Sequence, residues 1–173
     1  MLKSPTLIDD LRRDAPMATI GTCWQLVSDQ VMGGVSEGSM SRELVAGRLA
    51  NRMRGNVRLE NNGGFLQMAL DLAPDVGTVD ATAWVGIELD VLGNDQEYGI
   101  HLRTGNLARP WQSYRQNFQA LAHWQTIRLP FDRFVPYRTD IPLDLKQLRR
   151  LGVGAIGRAF SADLALGGVR YYN

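Results

Sequence analysis

Apolar residues recur at every second position over much of the chain. Leu66, Met68, Leu70 and Leu72 share one parity while Gln67 and Asp71 take the other, the pattern of a strand with one face in a core. Val85, Ile87, Leu89 and Val91 repeat it opposite Glu88 and Asp90, and Tyr98, Ile100 and Leu102 alternate with His101 and Arg103. Gly93-Asn94-Asp95 supplies a turn between these two runs, so they are expected to pair as a hairpin. Further strands are read over 114–120, over 124–129 up to Pro130, and along the tail at Phe160, Ala162, Leu164 and Leu166. Helix is scarce. Ser4 and Pro5 form an N-cap and first-turn pair, with Ile8 and Leu11 at helical spacing, which predicts a short helix over 5–13. Asp144 is placed to cap one or two helical turns through Leu145, Leu148 and Leu151. About eight or more short strands, one or two short helices and no internal repeat imply an all-β fold, an antiparallel jelly-roll β-sandwich. Residues 1–173 read as one domain, with 1–22 as an N-terminal extension carrying the first helix.

Composition narrows the classes of function. A chain of 173 residues buries roughly 70% of the surface its unfolded form exposes, so it needs neither metal nor disulfide to fold. Its 19 Lys+Arg and 18 Asp+Glu are interspersed along the sequence, without the basic stripe that phosphate-backbone binding requires, so no nucleic-acid partner is expected. The densest basic feature near the C-terminus, Arg149 and Arg150, reads as a solvated face. Cys23 has no second cysteine to pair with. The N-terminus lacks a signal-peptide core, and no apolar run approaches the about 18 residues of a membrane span, so the expected location is cytoplasmic.

Two motifs resemble catalytic ones and fail on context. Gly34-Val35-Ser36-Glu37-Gly38 fits the nucleophile elbow G-x-S-x-G, but no helix follows it and the chain lacks alternating strand and helix units. Gly152-Val153-Gly154-Ala155-Ile156-Gly157 fits G-x-G-x-x-G, yet the acidic residue expected about 20 positions later falls beyond Asn173. These glycines read as the opening of a buried strand. His101 and His123 are not spaced as a ligand pair, and with Cys23 they make three of the four ligands of a closed zinc site. The residues call for no cofactor and no metal.

Two Gly-Gly loops stand out, one running from Trp24 through Ser28-Asp29-Gln30-Val31-Met32-Gly33-Gly34-Val35-Ser36, the other Leu59-Glu60-Asn61-Asn62-Gly63-Gly64-Phe65. Together with Leu129-Pro130-Phe131-Asp132-Arg133-Phe134-Val135-Pro136, they resemble the complex I intermediate-associated protein 30 family over about Trp24 to Tyr171. The resemblance implies a galactose-binding-like jelly roll, a fold shared with carbohydrate-binding modules, and a role in assembling NADH:ubiquinone oxidoreductase, with respiratory-complex subunits as the protein partner. The chain departs from the family pattern at Gln30 and at Thr139, where glycines are common. Without an acid-poor, Ser/Arg-rich start, it resembles a compact bacterial member.

The reading is therefore a non-catalytic binding or assembly-factor domain. Its candidate surface comprises Asp29, Gly33, Gly34, Ser36, Asn61, Asn62, Gly63 and Gly64, acting as contacts or as the brace beneath them. The alternative is a carbohydrate-binding module, whose best candidates are Trp111 with Tyr114 and Arg115 nearby, since exposed rings stack on sugar faces. A third reading, a small-molecule enzyme, would draw on Arg103, Arg115 and His101.

Overall fold

The computed structural model describes residues 6–173. Along the chain run β1 (Leu7–Asp9), β2 (Gln25–Ser28), β3 (Glu37–Val45), β4 (Arg48–Val57), β5 (Phe65–Asp71), β6 (Gly86–Leu92), β7 (Gln96–Thr104), β8 (Ser113–Ala120), β9 (Gln125–Pro130), β10 (Val135–Tyr137), β11 (Leu148–Ile156) and β12 (Phe160–Tyr172). They form two antiparallel sheets. The first has the order β3-β4-β12-β6-β9 with β1 added to β12, and the second has the order β10-β8-β7-β11-β5-β2. This is the jelly-roll sandwich that the alternation predicts, and the helical content of the described residues is confined to short 3-10 turns.

The core lies between the sheets and is filled by one parity of each strand. Met53 of β4, Ile87, Leu89 and Val91 of β6, and Leu164, Leu166 and Val169 of β12 meet Leu66, Met68 and Leu70 of β5, Ile100 and Leu102 of β7, and Leu151 and Val153 of β11. Trp24, Tyr98 and Tyr114 are the largest fully buried side chains, each contributing roughly 2 kcal/mol or more of hydrophobic stabilisation. Phe131 and Phe134 of the Leu-Pro-Phe segment pack against each other, ring centroids 6.3 Å apart. Of the expected apolar stripe, Val85 alone turns outward.

Three expectations fail for tertiary reasons. The helix over 5–13 is replaced, in its described part, by the strand Leu7–Asp9, while Ser4 and Pro5 lie outside the described residues. β12 pairs with β4 only through Leu166, and the freed edge beyond it accepts β1, with Leu7 opposite Arg170. Asp9 fixes this arrangement: its buried carboxylate accepts hydrogen bonds from Leu11 N at 2.9 Å, Thr19 N at 3.2 Å and Trp24 Nε1 at 2.7 Å. A helix would leave that edge unpaired.

The runs on either side of Gly93-Asn94-Asp95 do not form a hairpin. β6 lies in the first sheet and β7 in the second. Gly93 N and Asp95 N donate to Leu121 O and Ala120 O, so the segment crosses between sheets instead of folding back. Asp144 does cap a turn, accepting from Lys146 N, but helix ends after the 3-10 turn Leu145–Gln147. Leu148 and Leu151 instead belong to β11, which also contains Gly152 and Gly154 in its interior. The hairpin of β3 and β4 has no apolar alternation to announce it, because its outer face is charged; its turn places Ala46 and Gly47 at φ 47° and 80°, the two positive values of a type I′ connection.

Candidate functional site

Asp29 is the hub of the two Gly-Gly loops. Ser28 Oγ accepts from Gln30 N and opens the 3-10 turn Asp29–Met32, which Gly33 closes in the left-handed region at φ 87°. The Asp29 carboxylate, fully buried, accepts from Ser36 N at 2.9 Å through one oxygen, and from Gly64 N at 2.6 Å, Ser36 Oγ at 2.5 Å and Phe65 N at 3.3 Å through the other. Burial acts to raise its pKa. The hydrogen bonds from Gly64 and Ser36 outweigh that and hold it below the ordinary carboxylate range. Close approach dictates glycine on both sides: a Cβ at Gly34 would lie 2.5 Å from Asp29 Cγ, and one at Gly63 would lie 2.5 Å from Asp29 Oδ2.

The brace extends further. Ser36 Oγ accepts from Arg58 N at 2.8 Å, and Gly157 N donates to Gly64 O at 2.8 Å, tying the end of β11 to the second loop. Gln30, where the family favours glycine, donates from Nε2 to Ser36 O at 2.9 Å. Asp29, Gly33, Gly34, Ser36, Gly63 and Gly64 are thus brought together as a brace, with Asp29, Gly34, Ser36 and Gly64 buried, Gly63 half-buried and Gly33 exposed. Asp29 and Ser36 are buried with their side-chain oxygens engaged inside the protein, which keeps these side chains off the surface. Asn61, at φ 57°, stays exposed in the adjoining turn that also contains Asn62.

Beside the exposed polar residues Gln30, Arg58, Glu60 and Asn61, this braced loop pair presents apolar side chains to solvent. Val31 and Met32 are 74% and 57% exposed, and Leu59, at the foot of the second loop, is 50% exposed. Sequence reading passed over all three, since apolar residues beside glycines default to a core assignment; their neighbours in the motif gave no sign of which way the turn faces.

Arg103, Trp111 and Tyr114 lie elsewhere, on and beside β7 and β8. Tyr114 is a correction: its ring is fully buried, and its hydroxyl donates to Ile141 O at 2.7 Å, so it offers no face to a ligand. Arg103 Nη1 donates to Arg109 O and Gln112 O at 2.8 and 2.9 Å and so shapes the loop bearing Trp111. Trp111 itself is 49% exposed, with the Arg109 guanidinium 5.9 Å from its ring centroid. Arg115 stacks over Tyr137 at 3.4 Å. His101, between these arginines on the outer face of the second sheet, is driven by burial and by Arg115 down to about 3 and is neutral near pH 7. The same face has a floor of Gly99, Gly152 and Gly154 in adjacent strands, which no stretch of sequence displays as a unit.

The family model for complex I intermediate-associated protein 30 matches residues 15–165. The chain belongs to that family. No curated protein matches it closely enough to count as a relative. Among solved structures it is similar to a family 11 carbohydrate-binding module from Clostridium thermocellum in complex with a β-1,3-1,4-mixed-linked tetrasaccharide, at a TM-score of 0.74 and 14% identity over 100% of this chain and 98% of that one. A family 30 carbohydrate-binding module of a cellulosomal cellulase of Clostridium thermocellum matches at a TM-score of 0.59 and 15% identity, covering 100% and 95% of the two chains. At these identities the likeness establishes the galactose-binding-like jelly roll. No helix among the described residues is long and apolar enough to cross a membrane.

Proposed function

We propose that this member of the family is a non-catalytic binding domain that holds a protein partner, a subunit of a respiratory complex, against the tip formed by its two Gly-Gly loops. The observation that carries this reading is the exposure of Val31, Met32 and Leu59 on loops immobilised by Asp29. Apolar side chains held out on a rigid support suit a protein interface, because the ordering cost of binding is met in the free state. The family supplies the class of partner, an intermediate of complex I assembly.

Affinity purification of the tagged chain from detergent-solubilised cells tests the proposal. Wild type is expected to recover respiratory-complex subunits, and Val31→Ser with Met32→Ser is expected to lose them with an unchanged Tm. Recovery by both proteins removes the loop tip from the interface, and recovery of no such subunit by wild type refutes the assembly role.

The second reading, carbohydrate binding, is favoured by one observation, the half-exposed Trp111 ring beside Arg109 on a sandwich of this shape. A glycan array distinguishes it. Binding abolished by Trp111→Ala would support it, and an array without a hit would end it.

A further inference from the structure

At one end of the second sheet, β7 and β11 gather three arginines on the outer face. Arg150 is the cross-strand neighbour of Arg103 on one side and of Asp71 on the other. Between Leu148 and Arg150 the register of β11 against β7 slips, so Arg149 is the extra residue of a bulge; bulges re-aim side chains and recur beside functional sites. Leu148 and Leu151 are both buried in the core, and the two arginines between them therefore both face outward. The pair that reads in sequence as a solvated face is in fact half-buried.

These cations lack balancing charge. Among the described residues their one ion-pair partner is Asp71, 3.4 Å from Arg150 Nη1. Arg149 Nε is buried with no hydrogen-bond partner, an uncommon state for a donor of this kind. Arg103 is pushed down by burial and then by the positive charges of Arg149 and Arg150. A groove of about 170 Å³ opens on the β5 side of Arg150, bordered by Cys23, Gln25, Ala69, Asp71 and Asp75; its two carboxylates keep an anion to the β7 side of Arg150.

We propose that the bulge at Arg149 builds an anion-binding site, in which Arg103, Arg149 and Arg150 together hold one carboxylate or phosphate group. Guanidinium forks match the planar carboxylate and the phosphate face through paired N–H donors, and Arg149 Nε is a donor that the protein itself leaves without a partner. The site is separate from the loop tip, so either proposal stands or falls without the other.

The test is a titration of the ¹⁵N-labelled full chain with inorganic phosphate and, separately, with citrate, against sodium chloride of matched ionic strength, following the arginine Nε–H signals. Saturable shifts at Arg149 and Arg150, absent in chloride and absent at Arg128 and Arg170 of the opposite sheet, are expected. Arg150→Gln should weaken binding about tenfold, with Arg150→Lys intermediate and both variants folded by circular dichroism. A preference for citrate identifies a carboxylate ligand and a preference for phosphate a phosphoryl one, and either supports the site. Shifts that never saturate, that chloride reproduces, or that persist unchanged in Arg150→Gln overturn it.

Discussion

The two outer faces of the sandwich are built from the same strand geometry and do opposite things with charge. On the first sheet, Glu88 and Asp90 of β6 are buried beneath arginines. Asp90 accepts from Arg48 at 2.6 Å, from Arg170 at 2.8 and 3.0 Å, and from Thr126 at 2.7 Å; Glu88 pairs with Arg128 at 2.7 Å and Arg170 at 2.5 Å. Farther along, Arg52 is shared between Asp163 and Glu43. On the second sheet, Arg115 lies opposite His101 and Arg150 opposite Arg103 over a glycine floor, and Asp71 is the single ion-pair partner of Arg103, Arg115, Arg149 and Arg150 among the described residues. One face has its charges neutralised within the protein. The other leaves donors for something outside it.

That contrast makes three predictions, the largest on the paired face. Asp90→Asn leaves Arg48 and Arg170 without their common counter-ion and should cost about 3 kcal/mol in urea unfolding; a loss below about 1 kcal/mol would show that the ladder is ornamental. The sign with pH follows from the same pairs. Burial raises the Asp90 and Glu88 pKa values, but the arginine bonds lower them further, leaving both depressed. Their contribution is therefore complete above the unfolded-chain values near about 4 and is lost as pH falls through the folded ones.

The glycine floor gives the next effect. A Cβ at Gly154 would meet backbone, Leu66 O at 2.2 Å, whereas one at Gly152 would meet only the movable end of Gln67, at 2.3 Å. Gly154→Ala should thus cost about 2 kcal/mol and Gly152→Ala under about 1 kcal/mol. Equal costs would mean that Gln67 is as fixed as the strand itself.

Near neutral pH the smallest effect is at His101. Its folded pKa, about 3, lies below the ordinary value of 6.5, so as pH falls from about 6.5 toward 4.5 only the unfolded chain takes up this proton and stability declines. His101→Asn should flatten the slope of unfolding free energy over that window by up to one proton. An unchanged slope would show that His101 titrates normally and that the patch is less positive than its arginines suggest.

Part of this was legible in the residues themselves. Leu66, Met68 and Leu70, and Tyr98, Ile100 and Leu102, show their strands and their buried face, because side chains alternate across a strand whatever it pairs with. Asp29, Gly33, Gly34, Gly63 and Gly64 stood out as a set, since glycine beside aspartate marks backbone that needs unusual freedom. The ion ladder was not legible, for Glu88 and Asp90 read as the solvent face of an alternating strand until Arg48, Arg128 and Arg170 are brought over them.

The sequence by itself determined that this chain folds as strands with one apolar face, and that its two Gly-Gly loops form tight turns; both follow from neighbours a few residues apart. Only the tertiary structure decided that β6 and β7 enter different sheets, that Leu7–Asp9 adds to β12, and that Asp29 is a buried brace. It also decided that Arg149 and Arg150 share a half-buried patch with Arg103. The reason is range: strand partners, bulges and counter-ions are set by chain segments tens of residues away, whose positions follow from closing one common core between two sheets.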